Sequence, residues 1–374
     1  MFPTSGTLTS TDRPGTKVQQ VNWPALLAPY MKPSWWRSSY QLVNTAAPLV
    51  LLWLLMLWSL RWSYVITIFL ALPAAFLMVR MFIFQHDCGH HAFFKARRAN
   101  DTLGFILGIL TLVPYAYWKR THAIHHATSG NLDHRDFGDI DTLTVREYLA
   151  LSKFKRFRYR LYRHPLVLLL VGPTYQIVLK HRYPADIPRS WKREWATVHG
   201  TNVALLGVIG IMALTVGLDR FLLVQAPITL TSASVGMFLF YVQHQYEHTY
   251  WRYREGWNYY EAGLEGSSHL VLPRWLQWCT GNIGLHHIHH VCSRIPNYYL
   301  QRCVDELPEL QNAIKLSLRD SIKTLTRALW DEDERRLVPF RDLGAIQARL
   351  AAAAGQAGLA LQPTKPEVVP RAWR

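Results

Sequence analysis

Cysteine is scarce, at four of 374 residues, and Cys88, Cys279, Cys292 and Cys303 form no CxxC pair and no regular spacing. That argues against a disulfide framework or a cysteine-based zinc site and predicts reduced thiols facing a cytoplasm-like compartment. Charge is sparse too, at 18% of residues, with 25 acids against 41 Lys and Arg. No zinc finger, basic zipper or aromatic RNA-binding signature accompanies the net charge of +16, so nucleic acid is not an expected partner. No GxGxxG fingerprint for a flavin or nicotinamide occurs, nor a fused haem domain. The first 35 residues have no apolar core behind a basic start, which predicts no cleavable signal peptide.

What is abundant is apolar. Half the residues are hydrophobic, 13% are aromatic, and the apolar residues fall in long runs nearly free of charge, a membrane signature. Four runs predict spans, at about 42–60, 64–84, 202–218 and 221–242. Each covers roughly the 30 Å of a hydrocarbon layer at 1.5 Å per residue. They form two helical hairpins, turning at Arg61-Trp62-Ser63 and at Asp219-Arg220. These outer turns hold one basic residue each, whereas the segments between the hairpins hold most of the rest, so the inner side is expected to be cytoplasmic. Two shorter apolar stretches, 103–117 and 165–178, are expected to dip into or lie along the membrane, and the basic, aromatic segment 146–164 to be cytoplasmic or interfacial. The fold expected is an all-α integral membrane protein of four spans, with interfacial helices and a cytoplasmic helical cap carrying a two-metal site. A flexible arm (1–38) would precede a membrane domain (39–310), and a helical tail (311–374) would follow it.

Histidine carries the chemistry. Three boxes occur: His86 and His90 as HxxxH, His122, His125 and His126 as HxxHH, and His286, His289 and His290 as HxxHH again. By residue frequency, one HxxHH is expected in only roughly 0.03 of such chains. Lone histidines such as His134, His164, His181, His199 and His269 are read as surface or satisfied core residues. On a helix the three members of each HxxHH fall within an arc of about 100°, and His86 and His90 lie about 40° apart. His91 and His287 point further round and are weaker candidates. Neutral imidazole is the commonest transition-metal ligand, and eight are too many for one tetrahedral ion, so two metals are expected. Imidazole alone does not choose between iron, zinc and copper. Beyond the boxes, His244 and His248 form another i, i+4 pair at the end of the fourth run, and either can give a ninth ligand, His244 being favoured. Acceptors that would fix ring tautomers are sought in Asp87, Asp133, Asp136 and Glu247.

The stretches HDCGHH at 86–91, WKRTHAIHHATSG at 118–130, VQHQYEH at 242–248 and GNIGLHHIHHVCSRIPNY at 281–298 resemble the membrane-bound fatty acid desaturase family. The resemblance covers roughly residues 40–310 and is nearest in flavour to bacterial acyl-lipid enzymes of the delta-12 (omega-6) or delta-5 kind. It implies two Fe ions that activate O2, and a ligand just after the fourth span, which supports His244. In the acyl-CoA branch an Asn four residues before that ligand acts through water; here the position is Phe240. Asn282 is a possible outer partner. The reaction implied is stepwise hydrogen abstraction from adjacent methylenes, giving a cis double bond in a lipid-linked acyl chain. Electrons would come from a separate ferredoxin or cytochrome b5 type carrier with its reductase. A di-iron hydroxylase or ketolase of fatty acids, alkanes or carotenoids is the alternative, because hydroxyl rebound competes with a second abstraction. A metal transporter is disfavoured, since 221–242 holds no ionisable residue.

Overall fold

Among the described residues four helices are long and apolar enough to cross a membrane: Trp35–Ser59, Tyr64–Gly89, Lys192–Thr215 and Leu218–His244. They are called here the first to fourth spans. The computed structural model describes residues 21–135, 137–357 and 369–373. The first hairpin closes where Ser63 caps the second span, and the buried hydroxyls of Ser59 and Thr67 satisfy each other at 2.8 Å below the exposed turn. Ala71, Ala74 and Ala75 give the second span a small-residue face that lets neighbouring helices approach, and it is the most buried of the four.

The second hairpin turns at Val216-Gly217 rather than at the charged pair expected. Gly217 adopts φ +96°, which a side chain would disfavour, and Asp219 sits in the first turn of the fourth span, where its charge suits the helix N-terminus. The third span also starts ten residues earlier than its apolar run, because polar residues continue a helix without breaking it. The same overrun matters on the second and fourth spans. They extend beyond their apolar runs as far as Gly89 and His244, so rigid rods carry His86 and His244.

The stretch expected to dip into the membrane is a pair of helices, Arg97–Leu110 and Tyr115–Thr128, bent by 105°. Leu112 at φ +61° and Pro114 break the pair. The Tyr115 ring lies so close to Gly104 that a Cβ there would meet it at 2.3 Å. Gln85 of the second span holds the elbow, donating to the Val113 carbonyl at 2.9 Å and accepting from Thr111. The bend turns box two back toward box one.

Two boundary regions depart from expectation. Residues 21–38 are not a flexible arm: Trp23, Leu27 and Tyr30 are buried against Leu285, Ile288 and Val291, beside box three. Residues 1–20 lie outside the described part. After 310 the chain is not simply a helical tail. Arg327–Asp331 and Arg336–Pro339 form an antiparallel pair, and Leu143–Thr144 adds in parallel to the first of them. Strands of four or five residues, buried at all but their first position, leave no alternation to read. The helix Leu343–Ala357 follows, and Trp373 returns to donate from Nε1 to Asp141 Oδ2 at 2.9 Å.

Candidate metal centre

The three boxes and His244 converge. Box one ends the second span, box two lies on Tyr115–Thr128, box three forms the short helix His286–Val291, and His244 closes the fourth span. Their nine rings divide into two groups. One holds His86, His90, His122, His126 and His289; the other holds His125, His244, His286 and His290. Within each group the candidate ligand nitrogens all lie within 4.8 Å of one another. Helical spacing explains the division. His125 and His126, adjacent in sequence, point about 100° apart and so serve different groups, as do His289 and His290. The groups touch where the His126 and His290 rings stack, centroids 4.2 Å apart.

The donor set fits metal ions. A metal–nitrogen bond of about 2.0–2.1 Å places neighbouring ligand nitrogens roughly 3.0–3.4 Å apart. The Nε2 atoms of His126 and His289 are 2.9 Å apart, those of His122 and His126 3.1 Å, and those of His244 and His286 3.0 Å. Four of the nine rings, His86, His90, His125 and His290, bury an Nε2 with no hydrogen-bond partner among the described residues. Each would cost about 1–3 kcal/mol if left unmet. Burial also holds His90, His122, His126, His286, His289 and His290 well below the usual imidazole range, so these rings are neutral and offer lone pairs.

Outer partners orient the rings. His125 Nδ1–H donates to Asp139 Oδ1 at 2.6 Å, and His244 Nδ1–H to the Gly266 carbonyl at 3.0 Å. His86 Nδ1 lies 3.3 Å from Asp87 Oδ1. Asp87 Oδ2 accepts from both the backbone and side-chain nitrogens of Asn297, each at 2.9 Å, tying box one to the segment after box three. Trp118 stacks on His122 at 4.5 Å between centroids, and Phe240 covers His125 and His244, at 5.4 and 5.6 Å.

A sequence profile described as "Fatty acid desaturase" matches residues 59–320. The chain is 43% identical over 324 residues to a fatty acid desaturase of Bacillus subtilis, covering 87% of this chain and 92% of that one. It is 26% identical over 235 residues to the sn-1 acyl-lipid omega-3 desaturase (ferredoxin) of Synechocystis, covering 61% and 63% of the two chains. With the sn-1 oleoyl-lipid 12-desaturase of the same organism it shares 27% over 233 residues, covering 61% and 64%. The chain belongs to the fatty acid desaturase family. It is therefore an oxidoreductase, of a family that is membrane-bound.

Not every histidine considered belongs to the desaturase's two groups. His91 follows the end of the second span at φ +54°, which swings its ring away to accept from Lys119 Nζ at 2.9 Å. His287 points to the far side of its helix and donates from Nε2 to the Leu310 carbonyl at 3.0 Å. His248 is exposed and in neither group. Glu247 pairs with Arg327 and, at 3.0 Å, with Arg336, so it ties the fourth span to the C-terminal strands. Asp133 accepts from the Arg254 backbone N–H at 2.8 Å. Asn282, at φ +57°, donates to the Asn297 carbonyl at 3.1 Å and so braces the partner of Asp87. Asp136 lies outside the described residues. Asp139, Asn297 and the Gly266 carbonyl were not anticipated; no local spacing marks a carboxylate fourteen residues beyond His125.

Two buried histidines outside the groups set a pH dependence. Burial, with Arg182 and Lys180 nearby, pulls His181 down to about 3; burial and His269 do the same for His287. The unfolded chain takes up protons below about 6.5 where the folded chain does not, so unfolding is favoured as pH falls. The stability these residues contribute is complete above about pH 6.5 and is lost progressively toward about pH 3. Thermal unfolding in detergent is expected to show a midpoint that drops steadily below about pH 6.5 and loses part of that slope in His181→Gln.

Proposed function

We propose that this desaturase introduces a cis double bond into a lipid-linked fatty acyl chain, using two irons, O2 and two electrons from a separate carrier. The observation that supports this best is the division of nine imidazoles into two adjoining groups, gathered where the second and fourth spans end. His86, His90, His122, His126 and His289 would hold one ion, and His125, His244, His286 and His290 the other. When bound, the irons would supply the reduction of O2 to an oxidant strong enough to take hydrogen from unactivated methylenes. The chain's own work is to hold that centre. Asp139, Asp87 and the Gly266 carbonyl fix the ring tautomers by accepting from Nδ1–H, which turns Nε2 inward. Trp118 and Phe240 close the site against water.

The relatives named above as acyl-lipid and ferredoxin-dependent support a lipid-linked substrate and a ferredoxin-type or cytochrome b5-type donor. The scarcity of basic residues at the two hairpin ends, with Arg61 in the first turn and Arg220 in the opening turn of the fourth span, supports a catalytic face on the cytoplasmic side, of the inner membrane in a bacterial cell. Expression in a host whose lipids are only saturated and monounsaturated tests the reading. New dienoic acids are expected, and their double-bond position gives the regiochemistry. Hydroxy acids without new unsaturation would overturn it in favour of a hydroxylase.

A further inference from the structure

The helix Lys153–Tyr162 takes no part in either histidine group, and the reaction leaves the pattern on its outer face unexplained. Its inner side is fixed by the fully buried Tyr159, whose hydroxyl donates to the Ala328 carbonyl at 2.7 Å. At about 100° per residue the opposite side centres on Phe154, Phe157 and Leu161. These are 69%, 62% and 51% exposed. Lys153 and Arg160 border this stripe on one side and Arg158 on the other. No acid occurs in the helix.

The stripe continues beyond the helix. In the next apolar helix, Val167–Lys180, Leu168 packs in one cluster with Leu239 and Tyr241 of the fourth span, while Leu170, Val171 and Leu179 stay exposed. Exposed apolar residues thus follow one another from this helix into the next, which packs on the fourth span. Beside it lies an open groove of about 540 Å³ lined by Tyr148, Lys153, Arg156, Phe157, Arg160 and Phe340, among others. Arg160 is held ready there: its Nε donates to the Tyr148 hydroxyl at 2.8 Å and its guanidinium lies 5.2 Å from the Phe340 ring centroid. Arg156 is engaged by the Leu149 and Leu151 carbonyls. Among the described residues no carboxylate lies within ion-pair reach of Lys153, Arg156, Arg158 or Arg160.

We propose that this face binds an anionic phospholipid, with Phe154, Phe157 and Leu161 in the acyl layer and the headgroup phosphodiester in the groove against Lys153 and Arg160. An apolar stripe flanked by cations suits the membrane–water boundary, where rings leave water while long basic side chains stay at the phosphates. An acidic protein would satisfy the cations but would have to cover a phenylalanine stripe that runs on into the exposed apolar residues of the next helix. The proposal rests on the membrane-bound family and is independent of which metal the histidines hold.

The test is native mass spectrometry of the full-length protein in detergent, with phosphatidylglycerol and phosphatidylcholine of matched chains added at equal concentration. Wild type is expected to retain phosphatidylglycerol in preference. Lys153→Gln/Arg160→Gln is expected to lower that preference, roughly fivefold for each cation removed. Lys153→Glu, at a side chain with no described hydrogen bond or ion pair, must lower it too without disturbing the fold. Equal retention of the two lipids by wild type, or an unchanged preference in the variants, would overturn the proposal. So would variants that keep the lipid preference but lose binding of an acidic ferredoxin, which would assign the face to a protein.

Discussion

Alanine at His289, or at His290, is expected to reduce desaturation to background while the chain still inserts into the membrane. Insertion depends on four apolar helices that neither substitution touches. The two residues are neighbours on one helix, yet their rings stand at 88° to each other and enter different groups. Under the proposed two-metal reading, each substitution would remove one metal's ligand and spare the other's. The group of five would keep four rings without His289, whereas the group of four would keep three without His290. His290→Ala should accordingly lose its metal at a lower chelator concentration than His289→Ala. His287→Ala is the internal control. It removes the bond to the Leu310 carbonyl, should cost about 1–3 kcal/mol of stability, and should leave turnover and metal content in place. Turnover in membranes from the three variants, with immunodetection of the inserted chain, checks all of this. Retained activity in His289→Ala or His290→Ala would remove that ring from the ligand set.

The second large effect is expected at Asp139. Its carboxylate accepts from His125 Nδ1–H at 2.6 Å, the shortest contact that any of the nine rings makes to an outer partner described here. Such partners fix the tautomer and the ring plane, and losing one typically costs 10–100-fold in metal affinity or activity. Asp139→Ala should fall at the upper end of that range. Asp139→Asn, which can still accept through its amide oxygen, should fall at the lower end. The segment bearing Asp139 is itself well held. Two residues on, Asp141 takes Trp373 Nε1–H on its carboxylate, its backbone N–H donates to Tyr162, and its carbonyl accepts from Arg163. Small shifts of His125 are therefore not absorbed by loop movement. Titration of each variant with a chelator, followed by the loss of activity, gives the comparison. Identical curves for wild type and Asp139→Ala would show that His125 needs no such support.

The parts of the site that were legible in the sequence are those written in local spacing. HxxHH places three rings on one side of a helical turn, and an apolar run of twenty residues declares a span; both signals are contiguous. Spacing did not separate His244 from His248, which form an i, i+4 pair; the family resemblance favoured His244, and in the structure His244 ends the fourth span while His248 lies beyond it. What escaped was non-local or carried by the backbone. Asp139 and Asn297 meet their partners only after the chain has turned, and Gly266 contributes a carbonyl that any residue has. His91 was judged from an ideal helical wheel, but the helix ends before it and a left-handed residue redirects the ring. The C-terminal strands were missed because runs of four or five residues buried at every position after the first have no period. Residues 21–30 read as part of a flexible arm because the segment is short and Pro24 and Pro29 interrupt it, so Trp23, Leu27 and Tyr30 show no helical period.

The most direct test of a two-iron centre built from nine histidines is the metal content of purified, fully active protein. About two irons per chain are expected, falling to about one in His290→Ala. Full turnover with zinc in place of iron, or with no more than one metal ion per chain, would contradict the account.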